Sequence, residues 1–331
     1  MSRKFSWRTA SAALLLIPAL GLTACSSQGG RAPEPDASAQ GAVADTPRLK
    51  VAMITHAPAG DTFWDIVRKG AEAAAAKDNI DLQYLSDPEG GNQAQLIEQA
   101  VDQGVDGIAV TLAKPDAVAG ALAKAKAAGI PITSLNGGED RYKELGAFAN
   151  FGSNERAAGE AVGQKLLDEN YKKPICVIQV QGHVGLEARC AGVKSKIPAT
   201  EVLYVQGTDM TQVQSTTTAK LQTSKDVDVI IGLGAPISLT LLKSVAEANS
   251  SAKVASFDMN AEMAQKIVDG EIIFTVDQQP WLQGYESIDA IWLDSVGGFA
   301  LGGGRPVPTG PSIVDKDNAK AVLKFAEEGL R

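Results

Sequence analysis

Residues 50–74 read KVAMITHAPAGDTFWDIVRKGAEAA, and the change of period inside this stretch decides the fold. Lys50 to Ile54 is a short apolar run of the kind that fills a buried strand, whereas Phe63, Val67, Gly70, Ala71 and Ala74 recur at helical spacing. The alternation then continues along the chain. It predicts strands at Ile80–Leu85, Gly107–Thr111 and Ile130–Leu135, separated by helices at about Asn92–Gln103 and Asp116–Ala128. A second series begins near Gly152, with a helix over about Asn154–Asn170. Its strands are predicted near Ile175–Gln181, Val202–Val205, Val227–Leu233, Lys253–Phe257 and Ile272–Val276. Strands that alternate with helices imply a parallel sheet covered on both faces. Two such series imply an α/β protein of two doubly wound, Rossmann-like lobes joined by a hinge.

In sheets of this kind ligands sit beyond the carboxyl ends of the strands. That rule selects seven segments, 56–64, 136–140, 182–189, 207–210, 234–236, 258–260 and 278–281, which converge if the two lobes face each other across a cleft. Phe63 and Trp64 follow a polar turn at the mouth of a helix that needs only one of them for its buried face, so the pair offers an exposed platform for the C–H face of a sugar ring. Arg189 opens a helix, where a cation is poorly matched to the dipole. Its planar fork can donate two hydrogen bonds to neighbouring hydroxyls, and Asp258 can accept two. Asn136 and Asn260 fall at strand ends, as ligand contacts or as turn and cap residues. Gln278 sits where the chain crosses between lobes. Losing Arg189 or Asp258 is expected to abolish binding and leave stability nearly unchanged, since both would face a wet cleft.

Upstream of the first strand the chain has a different character. Arg3, Lys4 and Arg8 precede an apolar stretch, Ala10 to Leu22, that is shorter than the about 20 residues of a membrane span. It closes on Leu22-Thr23-Ala24-Cys25, which resembles the lipobox of bacterial lipoprotein signals. The resemblance implies a signal peptide over residues 1–24, lipidation of Cys25 and an extracytoplasmic protein held at the outer face of the cell membrane. Residues 26–47 lack any apolar period and read as a flexible tether, about 25 Å in mean span. Without the signal the chain keeps 28 basic residues against 39 acidic ones, a formal charge of −11, which disfavours nucleic acid as a partner.

With Cys25 committed to lipid, Cys176 and Cys190 form an even pair in an oxidising compartment, and parity suggests a disulfide. Position argues the other way. Cys176 is expected to begin a strand and Cys190 to lie a turn into the next helix, about 10 Å apart along the strand, where a bridge needs Cα atoms within about 7 Å. No catalytic set emerges. The two histidines, His56 and His183, have no metal-ligand spacing, and neither a P-loop, a nucleophile elbow nor a dinucleotide fingerprint is present. No cofactor and no metal are expected.

These motifs resemble the periplasmic sugar-binding proteins of the ribose- and galactose-binding type, the substrate-capturing subunits of ABC importers, over about Leu49 to Arg331. The resemblance rests on Asp61-Thr62-Phe63-Trp64, Val105-Asp106-Gly107-Ile108, Glu187-Ala188-Arg189, Phe257-Asp258 and Val276-Asp277-Gln278-Gln279-Pro280. It implies a type I periplasmic binding protein fold, an N-terminal lobe of residues 48–152 and 279–303, and a C-terminal lobe of residues 153–278 and 304–331. It makes Phe63 and Trp64 the stacking pair, Asp61, Asn136, Arg189, Asp258 and Gln278 ligand contacts, and Asp209 a neighbour of one. Where ribose binders carry an Asp-Arg pair this chain has Asn136-Gly137, and where they carry an asparagine it has Gly234. The smaller residues leave room for a hexose or a cyclic polyol such as myo-inositol. The expected protein is a monomeric, lipid-anchored, non-enzymatic receptor that hands a sugar or polyol to an ABC permease. A sensory receptor using the same cleft is the alternative.

Overall fold

A computed structural model describes residues 43–331; the expected signal peptide, Cys25 and most of the expected tether lie outside the described residues. The end of that tether is packed rather than free. Ala44 N donates to Lys77 O (2.8 Å), Asn79 Nδ2 to Thr46 O (2.8 Å) and Trp292 Nε1 to Thr46 Oγ1 (3.1 Å).

The first lobe opens with β1 (Leu49–Thr55), α1 (Thr62–Lys77), β2 (Ile80–Ser86), α2 (Gly90–Asp102), β3 (Gly107–Thr111), α3 (Pro115–Ala127), β4 (Ile132–Leu135) and β5 (Ala149–Ser153). The second continues with α4 (Glu155–Asp168), β6 (Pro174–Ile178), α5 (Val184–Lys196), β7 (Glu201–Tyr204), α6 (Met210–Thr223), β8 (Val229–Gly232), α7 (Ala235–Glu247), β9 (Lys253–Phe257), α8 (Ala261–Val268) and β10 (Ile272–Asp277). Then come α9 (Pro280–Gly297), β11 (Val307–Gly310), β12 (Ser312–Asp315) and α10 (Ala319–Glu327). One sheet runs β2-β1-β3-β4-β5-β11, all parallel. The other runs β7-β6-β8-β9-β10-β12, parallel except for β12.

Each sheet is buried on both faces, so central strands such as Gly107–Thr111 and Val229–Gly232 are buried throughout instead of alternating. Met53, Ala109 and Leu135 face one way in the first lobe, Ala52, Ile108 and Ile132 the other. The strand order 2-1-3-4-5 recurs in both lobes and puts the switch point between β1 and β3 in one, between β6 and β8 in the other.

The chain crosses between lobes near residues 153–155, 277–280 and 310–312. The expected boundary at 303/304 is therefore misplaced: β11 pairs with β5, and the first sheet's last strand runs to Gly310. Neither β5 nor β11 is legible as a periodic run, because Ala149–Ser153 and Val307–Gly310 are too short and too mixed in composition. At the middle crossing Asp277, fully buried, accepts from Gln279 N (2.8 Å) and from Arg331 Nη1, so Arg331 is anchored beside the hinge.

Cys176 and Cys190 are joined in a disulfide, against the expectation, with Cα atoms 5.7 Å apart. Cys176 lies in the middle of β6 and Cys190 about two turns into α5, so the helix returning across the sheet brings the two level. The close crossing of α4 and α5 fixes that return. A Cβ on Gly159 would run into the Arg189 backbone carbonyl, and one on Gly192 into Arg156 O, so only hydrogen fits at either position.

Candidate functional site

All seven segments selected by the topological rule do meet, in one cavity of about 410 Å³ between the lobes. Its size falls in the range of small-molecule sites. From the first lobe come the turn after β1, the turn after β3 and the loop after β4. From the second come the loops after β6, β7, β8 and β9, with Gln278 at the crossing.

Asp61 caps α1 by accepting from Phe63 N (3.1 Å), which holds the two aromatic side chains at the first turn. Burial raises the carboxyl pKa of Asp61, and the Phe63 N–H opposes it. Phe63 and Trp64 both line the cavity, yet neither is the exposed platform expected: each is buried, and they meet edge to face at 5.0 Å. Trp64 also packs edge-on against His56 at 4.7 Å. The pair is a wall shared between core and cavity.

Arg189 lines the cavity, and three of its five N–H groups are already occupied. Nε and Nη2 bind Glu155 Oε2 (2.5 Å) and Oε1 (3.0 Å), Nη1 donates to Leu233 O (3.2 Å), and the guanidinium sits 4.7 Å from the Phe257 ring centroid. Of its five N–H groups two remain. Glu155 is thus a positioning residue that the sequence did not reveal, since a glutamate in the first turn of a helix reads as dipole complementarity. Asp258 has a left-handed backbone (φ 66°), which turns its side chain inward, and Gln278 Nε2 donates to its Oδ1. Burial pushes the Asp258 carboxyl up to about 7, against the pull of Arg189 and Gln278. Asn136, also left-handed (φ 66°), reaches the cavity and donates to Gln283 Oε1 (3.3 Å).

Two expected contacts lie elsewhere. Asp209 is exposed and caps α6, its Oδ1 accepting from Thr211 N and Gln212 N (both 3.0 Å); Gly207, Thr208 and Met210 line the cavity around it. Asn260 caps α8 through Met263 N (2.9 Å) and donates across the lobes to Thr62 Oγ1 (3.2 Å). In both cases local geometry claimed the side chain, as it commonly does for Asn and Asp before a helix.

Several lining residues were not singled out beforehand. Gln179 follows β6 and donates to Leu233 O (3.3 Å), and a Cβ on Gly234 would come within 3.2 Å of its Nε2, so Gln179 occupies the space the glycine leaves. The buried amide oxygens of Gln179 and Gln278 have no hydrogen-bond partner among the described residues. His56 and His183, 127 positions apart, meet Nε2 to Nε2 at 3.1 Å.

The fold and this interlobe cavity agree with what known proteins show. Residues 51–294 match the periplasmic binding protein domain, and the chain belongs to that family. It is similar to a carbohydrate transporter from Acidothermus cellulolyticus solved in complex with myo-inositol, at 48% identity over 86% of this chain and all of that one, with a TM-score of 0.85. A periplasmic sugar-binding protein from Legionella pneumophila is 28% identical over 79% of this chain and 99% of its own, with a TM-score of 0.74. The xylose/arabinose-binding protein of Sulfolobus acidocaldarius is 25% identical over 81% of this chain and 71% of its own length.

Proposed function

We propose that the protein is a lipid-anchored extracytoplasmic receptor that captures a cyclic polyol or monosaccharide, with myo-inositol the first candidate, and delivers it to an ABC permease. The observation that carries the reading is the 48% identity, across the whole of its chain, to a protein solved with myo-inositol. The cavity's chemistry supports it. Phe63 and Trp64 offer a flat apolar wall to the C–H face of a ring, while Arg189 and Asp258 offer the two remaining N–H groups and carboxylate oxygens to neighbouring hydroxyls. The amide oxygens of Gln179 and Gln278 would each accept from a hydroxyl, the donor that a polyol supplies in plenty. Asp61 and Asn136 complete the set from the first lobe.

Capture requires no chemistry beyond closure. Contacts from both lobes exist together only when the cleft is shut, so ligand shifts the equilibrium by its preference for the closed form. A thermal-shift series on the purified protein tests the reading. At 100 times its dissociation constant, myo-inositol should add about 2.7 kcal/mol of stability, and a response to ribose or galactose with none to myo-inositol would overturn the polyol assignment. For the anchor, Cys25→Ala should release the protein from membranes into the soluble fraction; unchanged membrane retention counts against lipidation.

A further inference from the structure

The cavity wall between β1 and α5 carries a direct side-chain bond across the cleft. His183 is the N-cap of α5, and its Nδ1 accepts from Gly185 N (3.1 Å) and Leu186 N (3.4 Å). An Nδ1 that accepts is unprotonated, so in the neutral ring the hydrogen sits on Nε2 and points at His56 Nε2, 3.1 Å away. His56 Nε2 must accept, which places the His56 hydrogen on Nδ1, facing Thr111 Oγ1 at 2.8 Å. Thr111 Oγ1 has two lone pairs, which serve the two His56 donors, Nδ1–H and the backbone N–H (3.0 Å). Gln93 Nε2 stands 3.0 Å from Thr111 Oγ1 and also 3.0 Å from Thr111 O and 3.4 Å from Ile54 O, so the two carbonyls can take its two hydrogens and leave the hydroxyl oxygen to His56. Every position in the relay is consistent. Beside it Val184 N donates to Ala113 O (3.1 Å), a second bond from one lobe to the other.

We infer that His56 and His183 form a cross-cleft clasp that closes only when both imidazoles are neutral, so that acidification weakens ligand capture by favouring the open form. An added proton has no acceptable place in the closed arrangement. On His183 Nδ1 it would face two backbone N–H groups at the positive end of α5, and on His56 Nε2 it would face the His183 Nε2–H.

The charged surroundings do not rescue the cation. Lys114 in the turn before α3 and Arg189 on α5 both disfavour it. Glu155 on α4 is bound to Arg189, Asp61 before α1 to Phe63 N, and Asp258 after β9 to Gln278. Glu139 follows the Asn136-Gly137 turn, where a Cβ on Gly137 would stand 3.5 Å from His183 Cε1. No carboxylate is hydrogen-bonded to either ring among the described residues. Burial lowers both histidines, His56 to about 3 and His183 well below its usual value. In the open form both rings meet water and return towards about 6.5.

The sign follows from proton counts. The closed form binds fewer protons, so closure is fully favoured above about pH 6.5 and is lost progressively as pH falls below it. One titrating histidine weakens binding about 30-fold between pH 8 and pH 5, and two weaken it up to about 1000-fold. Asp258 works against this trend: its raised pKa makes burial on closure favour proton uptake. Because Asp258 also accepts from ligand in the proposed site, the histidine variants, and not the pH dependence alone, identify the histidines as the source of the loss.

This inference rests on the polyol reading only for its probe. Calorimetric titration of myo-inositol at pH 8 and pH 5 should show the loss in the wild type and its removal in His56→Gln and in His183→Asn. Asn at 183 can still cap α5 but cannot titrate. Equal pH dependence in wild type and both variants overturns the clasp. A parallel measurement needs no ligand: spin labels placed one on each lobe report the closed fraction by their distance. That fraction should fall from pH 8 to pH 5 in the wild type and not in His183→Asn, and a wild-type closed fraction that does not respond to pH overturns the clasp. If myo-inositol fails to bind at any pH, the polyol reading falls while the label experiment still decides the clasp.

Discussion

Arg189 shows how far a single residue's role depends on what stands behind it. In a wet cleft its loss would leave stability unchanged, yet it is buried and clamped by Glu155, which is buried too. Removing one partner of a buried ion pair strands the other charge, at a cost of about 3–5 kcal/mol. Arg189→Ala should therefore lose both ligand affinity and stability, and Arg189→Ala combined with Glu155→Ala should recover much of the stability without the affinity. Denaturant unfolding of the single and double variants checks this; an unchanged midpoint in Arg189→Ala would contradict the burial argument. Asp209 makes the opposite case. Its oxygen is spent on two backbone N–H groups, so Asp209→Ala should cost about 1 kcal/mol of stability and leave ligand affinity as it was. A marked loss of affinity would return Asp209 to the site.

Among the elements, α5 supplies Leu186 and Arg189 to the cavity, with His183 at its cap. Its first turn is capped by His183, its next presents the buried Arg189 to the cavity, and Cys190 ties it to β6. Two glycines, Gly159 and Gly192, let it lie close enough to α4 for Glu155 to reach Arg189. The bridge closes a short loop, a separation of 14 residues, and such a loop is worth about 3 kcal/mol through the unfolded chain. Thermal unfolding with and without reductant, followed by circular dichroism, should differ accordingly; coincident curves would mean the bridge adds no stability. The strand-helix alternation that set out this element was plain from the sequence. Its packing distance from α4 was not, because the backbone approach allowed by two glycines has no signature in apolar period.

At the scale of the described molecule, the three crossings and cross-cleft bonds such as His183 to His56, Val184 to Ala113 and Asn260 to Thr62 describe a clamp that can be held shut from both sides of its cavity. Saturating ligand should therefore reduce the radius of gyration measured by small-angle X-ray scattering, and equal radii with and without ligand would contradict a hinged clamp. Much of this was legible beforehand. Strand ends can be found from periodicity, and ligand sites in doubly wound sheets follow from strand ends, so the segments around Phe63, Asn136, Arg189, Asp258 and Gln278 could be named without coordinates.

What the sequence determined by itself was the alternation of buried strands and amphipathic helices, the two-lobed plan, and the loops that face the cavity. These depend on local period and chain order, which are one-dimensional quantities. The tertiary structure alone decided which side chains share those loops' space: Glu155 behind Arg189, Gln179 in the room left by Gly234, Cys176 level with Cys190, and His56 against His183. Each of these pairs joins separate elements through a distance or a hydrogen-bond direction. Such quantities are set only when the lobes have packed, since no sequence spacing records them.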